Sequence, residues 1–261
     1  GFYYPATNKE FKGPKDELPP LIVISHGGPT SATNDALSFN VQYWTSRGFA
    51  VFDVNYRGST GFSRRFRNLL YDNWGRFDVE DCAAGAEFLA EKEWVDKSRL
   101  IIRGGSAGGY TTLAALTFKD TFNAGASYFG VSNPVTLTEH THKFESRYLD
   151  KLIGPYPEDE YLYTKRSPLN HAENLTSPVI FLQGEEDKVV PPEQAELMYN
   201  SLKTRGIPTA YLLFPNEQHG FRQEQNIKRA QEAELYFYSQ IFDFELSEEI
   251  DPITISNMDK L

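Results

Sequence analysis

Short, largely apolar runs recur along the chain, and each is followed by a longer stretch whose apolar positions return with helical spacing. The runs near 21–25, 49–54, 100–103, 124–129, 178–182 and 210–214 read as buried strands. The stretches near 34–47, 78–93, 107–118, 191–204 and 226–243 read as helices. Strand and helix in alternation, with no internal repeat, predict an α/β domain with a mostly parallel sheet and helices on both faces. The polar and aromatic segment from Leu137 to Tyr163 interrupts the alternation, as an inserted cap or pocket rim would. The domain spans 1–243, of which 1–20 are a lead-in segment, and the acidic stretch 244–261 is expected to be a loosely ordered tail.

One junction carries chemistry. Leu100-Ile101-Ile102-Arg103 runs into Gly104-Gly105-Ser106-Ala107-Gly108, a G-x-S-x-G turn, and then into the helical run Tyr110 to Phe118. A serine between strand and helix is held exposed at the carboxyl end of the strand, and flanking glycines let the chain bend there. A serine hydroxyl is a poor nucleophile, so it needs a base, an acid to orient the base and donors for an oxyanion. His219 follows the strand near 210–214 in Gln218-His219-Gly220 and suits the base, whereas His26, His140, His142 and His171 fall at the wrong places in the chain order. The acid comes from Glu185-Glu186-Asp187, after the strand near 178–182. Spacing does not choose among the three; the short side chain of Asp187 before two valines suits a fixed hydrogen bond, with Glu186 as the alternative. His26-Gly27-Gly28-Pro29 opens from the first strand, so the Gly28 and Ala107 N–H groups are the candidate oxyanion donors. A plain glycine turn is the competing reading of that loop.

The series His26-Gly27-Gly28-Pro29, Asn55-Tyr56-Arg57-Gly58-Ser59-Thr60-Gly61, Gly105-Ser106-Ala107-Gly108-Gly109-Tyr110, Arg166-Ser167-Pro168 and Gln218-His219-Gly220 resembles the catalytic domain of the prolyl oligopeptidase family, on its acylaminoacyl-peptidase and dipeptidyl-peptidase side. The resemblance implies an α/β-hydrolase fold, a Ser106, Asp187 and His219 triad, and hydrolysis of short peptides near their N-terminus. It implies that Val131 and Val190 line the pocket for the residue before the cut bond and that Arg166 lies near the substrate carbonyl; the competing readings are core valines and a surface ion-pair arginine. Relatives sometimes carry a tyrosine at the position of His26 whose hydroxyl joins the oxyanion hole. The family also implies an N-terminal β-propeller in a longer parent protein, since this chain begins at Gly1 without a methionine. A carboxylesterase with the same triad is the first alternative, and a non-catalytic binding module the second.

Composition narrows the rest. At 261 residues a single domain with a sizeable core is expected. A net charge of −10 and a pI near 5.1 argue against nucleic acid or an anionic membrane as a partner, and a homo-oligomer is compatible with both. Cys82 is the sole cysteine and reads as a core thiol; with no leader segment this points to a cytoplasmic setting. No cofactor is expected. Glu139-His140-Thr141-His142 is the one weak metal-ligand candidate, so no metal is expected either. Arg57 is expected to anchor its loop by pairing with Asp78 or Asp81.

Overall fold

Strand residues alternate between two cores. In β2 (Leu21–Ser25), Leu21 and Val23 pack on one side and Ile22 on the other. The same alternation divides Ile102 from Ile101 in β4 (Leu100–Gly105) and Phe181 from Ile180 and Leu182 in β6 (Val179–Gly184). A strand apolar on both faces must be covered twice, which is why these segments are continuous apolar runs. The computed structural model describes residues 1–140 and 147–260.

With β1 (Phe2–Tyr4), β3 (Ala50–Val54), β5 (Ala124–Tyr128) and β7 (Thr209–Phe214) these strands form one seven-stranded sheet in the order β1-β3-β2-β4-β5-β6-β7. Every neighbouring pair is parallel except β1 with β3, where Tyr3 lies opposite Phe52. The parallel sheet and its two helical layers are as the sequence predicts. The edge strand β1 lies within the expected lead-in; three residues are too few for a periodic signal.

Helix α1 (Phe39–Thr45), capped by the Ser38 hydroxyl accepting from Val41 N–H, covers one face together with α9 (Glu224–Ile241). The short α2 (Arg64–Asn68) precedes α3 (Phe77–Glu91), and α3, α4 (Ala107–Phe118) and α8 (Glu193–Thr204) cover the other face. Helix α4 is buried along its whole length except Phe118, and its threonines 111, 112 and 117 return their hydroxyls to carbonyls one turn back.

The interrupting segment holds α5 (Pro134–His140), α6 (Tyr148–Leu152) and α7 (Glu160–Lys165). Leu149, Leu152, Ile153 and Tyr163 are buried in the main core, so much of the segment belongs to the body of the domain. Thr141 and His142 of the weak metal candidate lie outside the described residues.

The expectation of a loose tail is corrected. Phe244 packs edge-on against Phe49 at 5.9 Å, Ile250 is buried, and Ser256 exchanges two backbone hydrogen bonds with Thr209. Its scattered apolar residues, Phe244, Leu246, Ile250, Ile253 and Ile255, all reach the core over α1 and α9. The acidic residues between them masked that pattern in the sequence.

Candidate active site

The serine sits where β4 turns into α4. Ser106 has φ 57° and ψ −121°, a region that costs a non-glycine residue energy. Its N–H donates to Tyr128 O at 3.0 Å, tying the elbow to the end of β5. Gly108 is required by close approach, because a Cβ there would run into the Ser25 carbonyl of β2. The loop after β2 abuts the same point: a Cβ on Gly27 would lie 3.7 Å from Ser106 Cβ. Gly28 holds φ +123°, and a side chain there would collide with Thr30 N. Neither the Gly28 nor the Ala107 N–H donates to a protein acceptor among the described residues. Both are therefore unspent donors, one on the loop that touches Ser106 and one on the residue following it.

The base and the acid converge on Ser106 from the two next loops. His219 Nε2 is 2.8 Å from Ser106 Oγ, and His219 Nδ1 is 2.8 Å from Asp187 Oδ2. A carboxylate only accepts, so Nδ1 carries the proton and Nε2 is left to accept from the serine hydroxyl. Asp187 is 4% exposed, and its Oδ1 accepts from the Val189 and Val190 amides at 2.8 and 2.9 Å. Glu185 and Glu186 are exposed, and of the three acids it is Asp187 that meets His219. The loop bearing His219 is anchored by Glu217, whose buried carboxylate accepts from the Arg222 and Gln223 amides and from Asn226 Nδ2, each at 2.9 Å.

His26 does not offer its imidazole to the site. Its Nδ1 is 2.8 Å from Gly27 O and its Nε2 is 2.8 Å from Ser59 Oγ, while the ring stacks on Tyr56 at 4.2 Å. Burial lowers its pKa against a smaller opposing effect of the Gly27 carbonyl, so the ring is held neutral. The Tyr56 hydroxyl lies 3.1 Å from both His26 O and Pro29 O and braces the glycine loop.

The three residues expected at the substrate already have protein partners or cover. The Arg166 guanidinium donates to Trp74 O at 3.1 Å and Asp72 O at 2.9 Å, so it ties two loops together instead of standing free for a substrate carbonyl. Val131 and Val190 are each 2% exposed and pack in the main core, which leaves them little surface for a ligand. Arg57 anchors its loop as expected, on Asp81 and also on Glu80, but not on Asp78. Asp78 is fully buried and accepts instead from Gly75 N–H and the Thr111 hydroxyl. Cys82 is buried in the same core, and among the described residues no three potential metal ligands are grouped.

Several contributors have no sequence motif. The Phe129 ring lies 5.0 Å from the His219 ring, on a residue with φ 38°, and packs on Phe221. The Tyr148 hydroxyl of α6 is 2.6 Å from Thr30 Oγ1 and accepts from Thr30 N–H, clamping the glycine loop across 118 residues of chain. Only its place at the end of a strand could have singled out Phe129, and nothing local marks Tyr148.

Comparison with known proteins agrees with this geometry. Residues 35–245 match the model of the prolyl oligopeptidase family. The chain is 37% identical over 216 residues to the dipeptidyl peptidase family member 6 of Caenorhabditis elegans, covering 79% of this chain and 29% of that protein. It is 30% identical over 217 residues to acylamino-acid-releasing enzyme 1 of Oryza sativa subsp. japonica, covering 79% of this chain and 28% of that protein. A solved structure of a puromycin-hydrolyzing peptidase of Mycobacterium tuberculosis superimposes with a TM-score of 0.95 at 48% identity, over 97% of this chain and 38% of that one. The chain thus spans less than a third of the length of both relatives. A family match over residues 35–245, on an elbow serine hydrogen-bonded to a histidine that is itself bonded to an aspartate, in the chain order Ser106, Asp187, His219, places the chain in the prolyl oligopeptidase family.

Proposed function

We propose that this chain is the catalytic region of a serine peptidase that acts by acyl transfer on short peptides near their N-terminus. The observation that carries the proposal is the unbroken hydrogen-bond line from Ser106 Oγ through His219 to Asp187, 2.8 Å at each step. His219 Nε2 takes the hydroxyl proton as Ser106 Oγ attacks the carbonyl carbon, and Asp187 holds the ring in the tautomer that makes this possible. The Gly28 and Ala107 N–H groups receive the oxyanion. The same imidazole then returns its proton to the departing amine, and a second cycle with water frees the acyl group. No step calls on a cofactor.

Short peptides are favoured over other acyl donors because the named relatives are a dipeptidyl peptidase, an acylamino-acid-releasing enzyme and a puromycin-hydrolyzing peptidase. Breaking an amide requires protonation of a poor leaving group, which the ordered His219 supplies. A single buried thiol fits a reducing compartment such as the cytoplasm. No helix among the described residues is long and apolar enough to cross a membrane.

The test is kcat/KM for p-nitroanilides of free and N-acetylated amino acids and dipeptides, beside p-nitrophenyl butyrate, with Ser106→Ala as control. Anilide hydrolysis that falls roughly a thousandfold or more in the control is the expected result. The ratio of acetylated to free substrates then assigns the exopeptidase type. Hydrolysis of the ester alone would replace this reading with an esterase, and a chain that fluorophosphonate does not label at Ser106 would leave a binding module.

A further inference from the structure

Gln183 is the penultimate residue of β6, a strand buried along its whole length, and has no exposed surface. Its Nε2 lies 3.1 Å from Val190 O, 3.3 Å from Gly184 O and 3.4 Å from Asp187 Oδ2. All three neighbours are acceptors, so the NH2 group must face them and the carbonyl must point away. That Oε1 accepts no hydrogen bond from the described residues, although it is buried. A buried carbonyl without a donor is destabilising, and an apolar side chain of the same length would avoid the defect. The defect is offset at the other end of the same amide.

The two oxygens of Asp187 are held differently. Oδ1 is fixed by two backbone amides, those of Val189 and Val190. Oδ2, the oxygen that accepts the hydrogen bond from His219 Nδ1–H, has one further donor among the described residues, the Gln183 amide at 3.4 Å. The two hydrogens of the same NH2 group are shared with Gly184 O and Val190 O, the two ends of the loop on which Asp187 stands. We infer that Gln183 is a positioning residue of the triad, its amide holding Asp187 Oδ2 and the loop around it so that His219 stays in line with Ser106. The inference rests on the reading of Ser106, His219 and Asp187 as the catalytic triad. It assigns Gln183 no contact with substrate, so its effect belongs in kcat and not in KM.

Gln183→Met removes the donor while keeping length and burial, and Gln183→His returns a ring N–H. The methionine variant should show kcat lowered about tenfold with KM unchanged and a thermal midpoint no lower than wild type, and the histidine variant should recover part of the rate. The low-field Nδ1–H proton resonance of His219 should move in the methionine variant. A second measurement needs no variant: in wild-type protein with 15N-labelled glutamine, the Gln183 side-chain protons should be slow to exchange and should shift when fluorophosphonate modifies Ser106. An active methionine variant with wild-type kcat and an unmoved His219 resonance would overturn the inference, as would Gln183 protons indifferent to Ser106 modification. A wild-type protein that fluorophosphonate does not label would remove the triad reading itself, and this one with it.

Discussion

The two faces of the sheet beneath Ser106 stabilise buried charge in opposite ways. On the α1 and α9 face, Arg103 of β4 makes a two-pronged ion pair with Glu234, at 2.9 and 3.0 Å. The hydroxyls of Tyr128 and Tyr238 donate to the same carboxylate, and Arg103 lies over the Tyr128 ring at 4.9 Å. Burial works against the Arg103 charge, but the nearby Glu234 more than restores it and holds the guanidinium above its ordinary pKa. On the α3 and α4 face, Asp78 is equally buried and is met by neutral donors only, Gly75 N–H and the Thr111 hydroxyl. Burial pushes its pKa up to about 6, against those hydrogen bonds. One face therefore carries a fixed charge pair and the other a carboxyl that titrates near neutrality. A buried charge stays ionised where a counter-charge, or enough hydrogen bonds to the charged form, replaces the water it has lost.

The largest effect should come from breaking the paired side. Glu234→Ala leaves Arg103 buried and unpaired and should cost about 3–5 kcal/mol of unfolding free energy in urea titration. The double change Arg103→Met with Glu234→Leu should recover most of that loss, since well-packed apolar residues substitute for a buried pair. A double variant as unstable as the single one would show that the pair is worth more than its geometry suggests.

The unpaired side should respond to pH. Asp78 ionises at 3.8 as an ordinary carboxyl and at about 6 when folded, so the folded protein holds its proton more tightly than the unfolded chain. Its contribution of about 3 kcal/mol is complete below the lower value and is lost as pH rises through the higher one, roughly half of it between pH 5 and 8. Asp78→Asn keeps the shape and carries no charge. Its urea midpoint should gain on wild type as pH rises over that range, and a constant difference would mean that Asp78 does not titrate there.

Away from both faces the effects shrink. Asp81→Ala removes one of the two carboxylate partners of the partly exposed Arg57, and the acceptor of its backbone N–H, for about 1 kcal/mol. Glu248→Gln weakens the exposed pair with Arg47 that holds the C-terminal segment, and should shift stability by about 0.5 kcal/mol or less, with the remaining difference erased by salt.

Much of this arrangement is legible in the sequence, for a local reason. Six of the strands announce themselves because burial in the sheet demands largely apolar runs, and Ser106 and His219 lie at or just beyond the ends of two of them. The choice of Asp187 over Glu186 was only half legible: both lie on the right loop, and it is the Val189 and Val190 amides that select the shorter side chain. The bonds of Arg166 and the burial of Val131 and Val190 were not legible, because a motif records where a residue falls in the chain and not what its side chain has already bonded to. The packed tail was missed because its apolar residues are spaced irregularly among acids and find their partners on Phe49 and Thr209, far off in sequence.

By itself the sequence determined the class of fold, the elbow and the order of nucleophile, acid and base, because each depends on spacing within one strand and the loop that follows it. Only the tertiary structure decided which acid faces His219, that His26 is turned toward Ser59, that Gln183 backs Asp187, and that Asp78 and Arg103 stand on opposite faces with different partners. Those are contacts between residues tens to more than a hundred positions apart or between loops closed on themselves. Burial and hydrogen-bond geometry, which no local pattern encodes, choose among the candidates that the pattern leaves equal.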